Sequence, residues 1–470
     1  MDHASGTGTG GERPGDDRAG VDPGSLDRRS GDPGGGSSRP GPRRRLPWLT
    51  LPVFSWAMYE FANTIFSLSI GTRYFNEWIV QDLGRPDWNL AAMSLGVTLA
   101  LVLTMPGLGA VADQLGRRKP FVIAFTAMSV VATLALGGVA GATLALVIGG
   151  VAVFGYQSGM AHYDPMLADV AAEEHRGRVS GFGVGIGYVG SFTALVVLGL
   201  VVAAADGDKQ AAFVPTAIMF AVFTIPLVLF VRDSRPVPRA EVPGFVPVVR
   251  RANGQLVRTL RRLRSYREVF RFLLGRFLYV DALAVVILYM TIYLDRLGTF
   301  TEMQKNLVLA VSIPAAIVGA FVAGPLVDRK GPKWVLTRII AIFAATLVIE
   351  GVTGSSALIW VLGPIVGIGL GGTWTSDRVF MMRLTPPAER GEFFGVFHLV
   401  GKVSNAAGPA IWALTIYLLH DLSGWTILDA SRAAMVVLAL VALAGIAIIR
   451  GLDDSVREFP EDAAAVGQGR

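Results

Sequence analysis

The sequence predicts an all-α membrane protein: twelve transmembrane helices in two six-helix halves that repeat one another. Three observations predict it. The 470 residues are 52% hydrophobic and only 17% charged, where a soluble domain carries about 25% charged residues. From Thr50 onward, apolar runs alternate with short polar breaks. Two loops of the first half recur in the second half at nearly the same offset.

A spanning helix needs about 20 mostly apolar residues. Twelve runs meet this: 50–80, 91–112, 120–141, 143–170, 179–204, 211–231, 269–294, 306–327, 334–354, 357–384, 392–419 and 428–450. Glycine and proline interrupt several of them, as membrane helices tolerate. The first 46 residues are different, with 12 Gly, 5 Pro, 8 Arg, 7 acids and six apolar side chains. Such a segment cannot offset its chain entropy by burial and reads as a disordered tail. It has no apolar h-region, so it is no signal peptide. The organisation is therefore a tail (1–46), a first half (47–232), a basic linker (233–268), a second half (269–452) and a short tail (453–470).

The linker carries Arg232, Arg235, Arg239, Arg250, Arg251, Arg258, Arg261, Arg262, Arg264 and Arg267 at or within its bounds. The loops after spans 2, 4 and 8 are basic too, whereas those near Gly141 and Ser355 lack Lys and Arg. Positive loops mark the cytoplasm, so both termini and the linker are expected inside. Residues 256–271 read equally as a basic amphipathic helix on the inner leaflet or as a solvated linker. Arg outnumbers Lys 36 to 6, which points to a GC-rich bacterium and hence its plasma membrane.

Composition also excludes. With no cysteine, a disulfide framework, a zinc–thiolate site and a cysteine nucleophile are ruled out. His3, His162, His175, His398 and His420 form no ligand-spaced pair, so no metal is expected. The net charge of +6 belongs to cytoplasmic-loop arginine rather than to nucleic-acid binding. Gly185-Ile-Gly187-Tyr-Val-Gly190 matches a dinucleotide fingerprint but lies inside an apolar span with no preceding strand, so it reads as close helix packing. No catalytic constellation, cofactor motif or Walker motif appears. The chain reads as a non-enzyme with no cofactor, a monomer in a lipid bilayer, acting on a small molecule and driven by a proton gradient rather than ATP.

The repeat carries the most information. Gly109-Ala-Val-Ala-Asp113-Gln-Leu-Gly116-Arg117-Arg118-Lys119 returns as Gly324-Pro-Leu-Val-Asp328-Arg-Lys-Gly331-Pro332-Lys333, an offset of 324 − 109 = 215. Arg176-Gly177-Arg178 returns as Arg390-Gly391-Glu392, an offset of 390 − 176 = 214. This G-x-x-x-D-x-x-G-R-[RK] loop resembles the signature of the major facilitator superfamily, over about residues 47–452. The resemblance implies a clasp across the halves. Asp113 would face the start of span 11 near Phe393–Gly395, and Asp328 the start of span 5 near Val179–Gly181, each favoured by a helix dipole. Arg117 would pair with Asp169.

Four segments narrow the resemblance: Tyr59-Glu60-Phe61-Ala62-Asn63-Thr64, Tyr163-Asp164-Pro165-Met166-Leu167-Ala168-Asp169, Phe277-Leu278-Tyr279-Val280-Asp281, and Glu392-Phe393-Phe394-Gly395 through Gly401-Lys402 with Gly408-Pro409. They are similar to a branch whose fungal members export amino acids from the vacuole in autophagy. Asp164 and Asp377 depart from that branch, which has Asn and Ser there.

In the superfamily, helices 1, 4, 7 and 10 line the central cavity. Here those spans carry Tyr59, Glu60 and Asn63; Gln157, His162, Tyr163 and Asp164; Arg276, Tyr279 and Asp281; Trp374, Asp377 and Arg378. Intramembrane ionisable groups are costly and usually functional. Glu60 and Asp281 lie ten to twelve residues into their spans, about 15–18 Å, where transporter sites sit. Each is placed to carry a proton or grip substrate; the other reading is an internal Arg276–Asp281 or Arg378–Glu60 pair. For Asp164, Asp377 and Arg378, gating and binding are both open.

The function expected is secondary active transport of a small polar solute, amino acids among them, by proton-coupled alternating access. Three rivals stay open. A multidrug exporter is disfavoured because Gly183–Gly190 lacks the Gly-Pro pair of that class. A sugar or organic-acid porter has weak support in Arg232-Asp233-Ser234-Arg235-Pro236. A non-transporting membrane sensor is the third.

The orientation is testable on this cysteine-free background. A cysteine at position 255 should resist an impermeant thiol reagent in intact cells and react after permeabilisation. Labelling from outside would contradict both the orientation and the six-plus-six division.

Overall fold

The computed structural model describes residues 47–86, 88–233 and 266–455. The expectations for the 1–46 tail, most of the basic linker with its amphipathic helix, and the end of the C-terminal tail lie outside the described residues. Twelve long helices carry the rest. The first half has α1 (Leu51–Phe66), α2 (Trp88–Leu115), α3 (Lys119–Leu136), α4 (Ala142–Tyr163), α5 (Arg176–Ala204) and α6 (Phe213–Phe230). The second has α7 (Arg267–Leu297), α8 (Glu302–Lys330), α9 (Pro332–Thr353), α10 (Ser356–Leu384), α11 (Arg390–Ile416) and α12 (Ile427–Arg450). There is no strand among the described residues.

Ten of the twelve are long and apolar enough to cross a bilayer unaided. The other two fall short for readable reasons. α1 is regular for only 16 residues because π-turns follow at Ser67–Thr72 and Trp78–Asp82; π-turns often mark functional helices. α11 is diluted by polar and small residues, among them His398, Lys402 and Ser404. Prolines inside α2, α6, α8, α10 and α11 leave these helices continuous.

The packing repeats as the loops do. In the first half α1 packs on α5 and α6, α4 on α2 and α3, and α3 on α6. In the second half α7 packs on α11 and α12, α10 on α8 and α9, and α9 on α12. Adding six to each helix number converts one list into the other. The halves meet through α5 on α8 and α10, and through α11 on α2 and α4, which are again one pair of contacts written twice.

Small residues permit this closeness. Gly190 of the apparent dinucleotide motif lies against α1, where a Cβ would stand 2.4 Å from the Phe61 carbonyl oxygen. Gly187 accepts a hydrogen bond from Thr64 Oγ1 at 2.5 Å. That motif is helix packing. The outer surface is apolar, with side chains such as Leu103 and Leu200 each 67% exposed. A water-soluble surface does not present large aliphatics this densely.

Candidate transport site

The two halves are clasped at the face where the α2–α3 and α8–α9 loops emerge. The Asp113 carboxylate accepts the backbone N–H groups of Gly391 and Glu392, each at 2.9 Å. Its counterpart Asp328 accepts those of Gly177 at 2.7 Å and Arg178 at 3.2 Å. Each acid thus sits on the first turn of a helix of the opposite half, where unpaired donors and the dipole favour an anion. The contacts fall about two residues earlier than Phe393–Gly395 and Val179–Gly181, because the capping donors belong to the first helical residues.

Glycines make the approach possible. A Cβ on Gly109 would stand 2.3 Å from the Gly391 carbonyl oxygen, and one on Gly324 would stand 2.8 Å from that of Gly177. Gly116 and Gly331 turn the chain at φ +57° and +85°, a region open to glycine without strain.

The guanidinium of this clasp is Arg118, not Arg117. Arg118 donates to Asp113 at 2.9 Å and stands 4.0 Å from Asp169. Arg117, one residue earlier, is exposed. A third repeated contact was not foreseen. Asp233, just after α6, accepts the N–H groups of Arg118 and Lys119 at 3.0 Å, while Lys119 Nζ donates to the Val231 carbonyl at 2.7 Å. In the second half Asp454 accepts Lys333 N–H at 3.2 Å and Lys333 Nζ donates to the Leu452 carbonyl at 2.6 Å. The offset here is 454 − 233 = 221, so these acids escape a search made at 214 or 215.

Inside the clasps lies a buried charge cluster. Arg378 of α10 donates through Nη1 to Glu60 Oε1 of α1 at 2.6 Å and to Asp164 Oδ1 at 3.1 Å. Asp164 Oδ2 lies 2.9 Å from His398 Nε2 of α11. Arg276 of α7 pairs with Asp377 of α10 at 3.1 Å, donates to the Phe397 carbonyl at 3.0 Å and lies 3.6 Å from the Phe397 ring centroid. Gly401 leaves the room: a Cβ there would meet Arg276 Nη1 at 2.8 Å. Arg378 also faces the Trp56 ring at 5.4 Å, a favourable cation–π geometry. The cluster is shallower than the midplane. Glu60 lies 60 − 51 = 9 residues into α1 and Arg378 lies 384 − 378 = 6 residues from the end of α10, about 14 and 9 Å from the clasp face.

The structure brings together Glu60, Asp164, Arg276, Asp377 and Arg378, with Trp374 accepting from Arg378 Nε through its carbonyl at 3.4 Å. Tyr279 is buried on α7. Tyr59 and Tyr163 form a supporting layer: Tyr163 stacks on Trp56 at 4.8 Å and donates to its carbonyl at 2.8 Å, while Tyr59 shares a 2.7 Å hydrogen bond with Thr126. Asn63 donates to Met160 Sδ at 2.5 Å, and its buried Oδ1 has no partner among the described residues.

Two predicted residues stand apart. His162 is not at the cluster; it stacks on Phe121 at 5.0 Å and bonds the Ser158 carbonyl at 2.8 Å within its own half. Asp281 is not paired with Arg276. It is 1% exposed, has no ion-pair or side-chain partner among the described residues, and packs beside the Gly408 backbone of α11. Glu350 of α9 is buried and accepts from Tyr293 at 2.9 Å. His398 was missed, although the same depth count that selects Glu60 would select it.

A duplicated helical bundle with a charge cluster buried where its halves meet is the architecture of a polytopic membrane protein. The family model described as Major Facilitator Superfamily matches residues 49–409, with a second match at 272–468. The chain belongs to that superfamily, and secondary transport of a small solute follows. It is 28% identical over 382 residues to the MFS-type transporter YxiO of Bacillus subtilis, covering 77% of this chain and 88% of that protein. It is 26% identical over 281 residues to autophagy-related protein 22-2 of Aspergillus clavatus, covering 53% of this chain and 45% of the fungal one. Its fold matches the E. coli fucose:proton symporter FucP, with TM-score 0.64, 14% identity, and 85% and 97% of the two chains covered. The human organic anion transporter MFSD10 is similar at TM-score 0.62, 15% identity, and 85% and 98% coverage.

The clasps generate a prediction. A hydrogen bond to a charged group contributes about 1.5–3 kcal/mol. Asp113→Asn and Asp328→Asn should each slow transport about fivefold or more while the melting temperature stays near that of the parent. Unchanged counterflow in both single variants and the double variant would reduce the loops to topological markers.

Proposed function

We propose that this chain moves a small polar solute, amino acids among them, across the plasma membrane by proton-coupled alternating access. The clasp face is cytoplasmic in this reading, and the described conformation has that face closed. The observation that carries the reading is the inter-half cluster. Arg378 belongs to the second half and both of its carboxylates to the first, so opening this face must break them. The similarity to the fungal vacuolar effluxers supports amino acids as solutes.

Charge counting supports proton coupling. Glu60, Asp164 and Asp377 supply three negative charges, and Arg276 and Arg378 two positive ones. Unbalanced charge is costly in a low-dielectric interior. In this proposal the His398–Asp164 contact, which joins the halves, is where a proton would offset the third carboxylate. Opening this face separates His398 from Asp164 and exposes that proton to the cytoplasm. Proton release and conformational change are thereby linked.

Transport driven by a pH gradient in proteoliposomes tests this. His398→Gln keeps a hydrogen-bond donor and cannot take up the charge. It should abolish gradient-driven accumulation while downhill exchange persists. A second reading follows from the unpartnered Asp281, which would then be the group that loads the proton. In that case Asp281→Asn, not His398→Gln, uncouples. Full accumulation in both variants would remove proton coupling at either group.

A further inference from the structure

Lys402 is the one intramembrane lysine of α11, and the cluster does not use it. It lies 402 − 390 = 12 residues into the helix, about 18 Å from the clasp face. Among the described residues it makes no ion pair or hydrogen bond. An unpaired ammonium at that depth costs several kcal/mol, and Asp281, the unpaired carboxylate at a similar depth, meets α11 at Gly408, about 120° around the helix from Lys402.

The helical register says where Lys402 points. Phe397, Gly401, Ser404 and Gly408 form the stripe of α11 that meets α7: Phe397 and Gly401 touch Arg276, Ser404 donates to the Phe277 carbonyl at 2.7 Å, and Gly408 packs on Asp281. His398 is turned away from that stripe toward Asp164 of the first half, and Gly395 packs on Met105 of α2. At about 100° per residue, Lys402 falls between the directions of His398 and Gly395. It lies one turn beyond His398, between the halves. Met160 is one turn beyond Asp164 on the opposing side, and Asn63 joins it there with an orphaned Oδ1. A cation without an anion and an acceptor without a donor therefore share one level of the inter-half space.

We propose that Lys402 is the anion-recognising residue of the transport site, and that the solute carries an anionic group with a hydrogen-bond donor beside it for Asn63 Oδ1. This rests on the transport reading above and specifies its solute. A carboxylate with a neighbouring ammonium or hydroxyl fits, and a free organic anion or phosphate satisfies the lysine alone.

The test uses the full-length protein in liposomes and counterflow of labelled L-leucine, propionate and inorganic phosphate. Leucinamide and xylose, which lack an anionic group, serve as competitors. At least one of the three anions should exchange, and neither competitor should slow it. Lys402→Met should lower that exchange about tenfold or more, and Lys402→Arg should retain most of it. Leucine exchange without propionate exchange assigns the second contact to the amine. Exchange that survives Lys402→Met overturns the proposal, as does a parent protein that moves xylose or leucinamide and none of the anions. If no solute moves, the transport reading fails. Lys402→Cys then decides separately: a hydrophilic thiol reagent should modify it, and an unreactive cysteine in folded protein places position 402 outside the space between the halves and overturns the assignment.

Discussion

The structure depends on one guanidinium. Arg378 lies in the membrane, and its charge is tolerable only because Glu60 and Asp164 reach it from the opposite half. Pairing two ions compensates desolvation, and removing one partner strands the other at a cost of about 3–5 kcal/mol. The cluster therefore does more than join the halves. It makes closure of one face the condition under which these charges are satisfied together. Opening has to supply replacements, which water can do at an aqueous surface and an apolar core cannot.

Around that pair, the architecture is a duplicated design with one functional asymmetry. Clasps, helix contacts and the lysine–carbonyl anchors all occur twice. The charge cluster does not, because Arg276 and Asp377 pair within the second half while Arg378 crosses to the first. At the paired clasps the Asp113 and Asp328 carboxylates each accept two backbone N–H groups of the opposite half. A modest free-energy gap between states is what alternating access requires.

Much of this could be read from residue spacing. Hydropathy placed the twelve helices because a bilayer imposes their length. The loop repeat located Asp113 and Asp328 and the helices they face, because glycine and a capping acid have few other uses at such a turn. Side-chain pairing was harder. Arg276 and Asp281 are five residues apart, so they diverge by about 140° around α7 and cannot meet; the pairing of Arg378 with Glu60, the other possibility, is the one that formed. His162 and Asp164 diverge similarly, which turns His162 onto Phe121 while Asp164 meets Arg378. Arg118 replaces Arg117 because a one-residue step rotates a side chain off the clasp. Depth was readable and azimuth was not, since azimuth depends on neighbours that a single helix does not reveal.

The Arg378 pairs hold the halves closed at the clasp face. Spin labels on cysteines at Gln114 and Ala388, both exposed at that face on opposite halves, report its opening directly by pulsed electron resonance. The parent should give a dominant short distance, and Arg378→Gln should add a longer population. A single short distance unchanged by Arg378→Gln would show that these pairs do not hold the face closed.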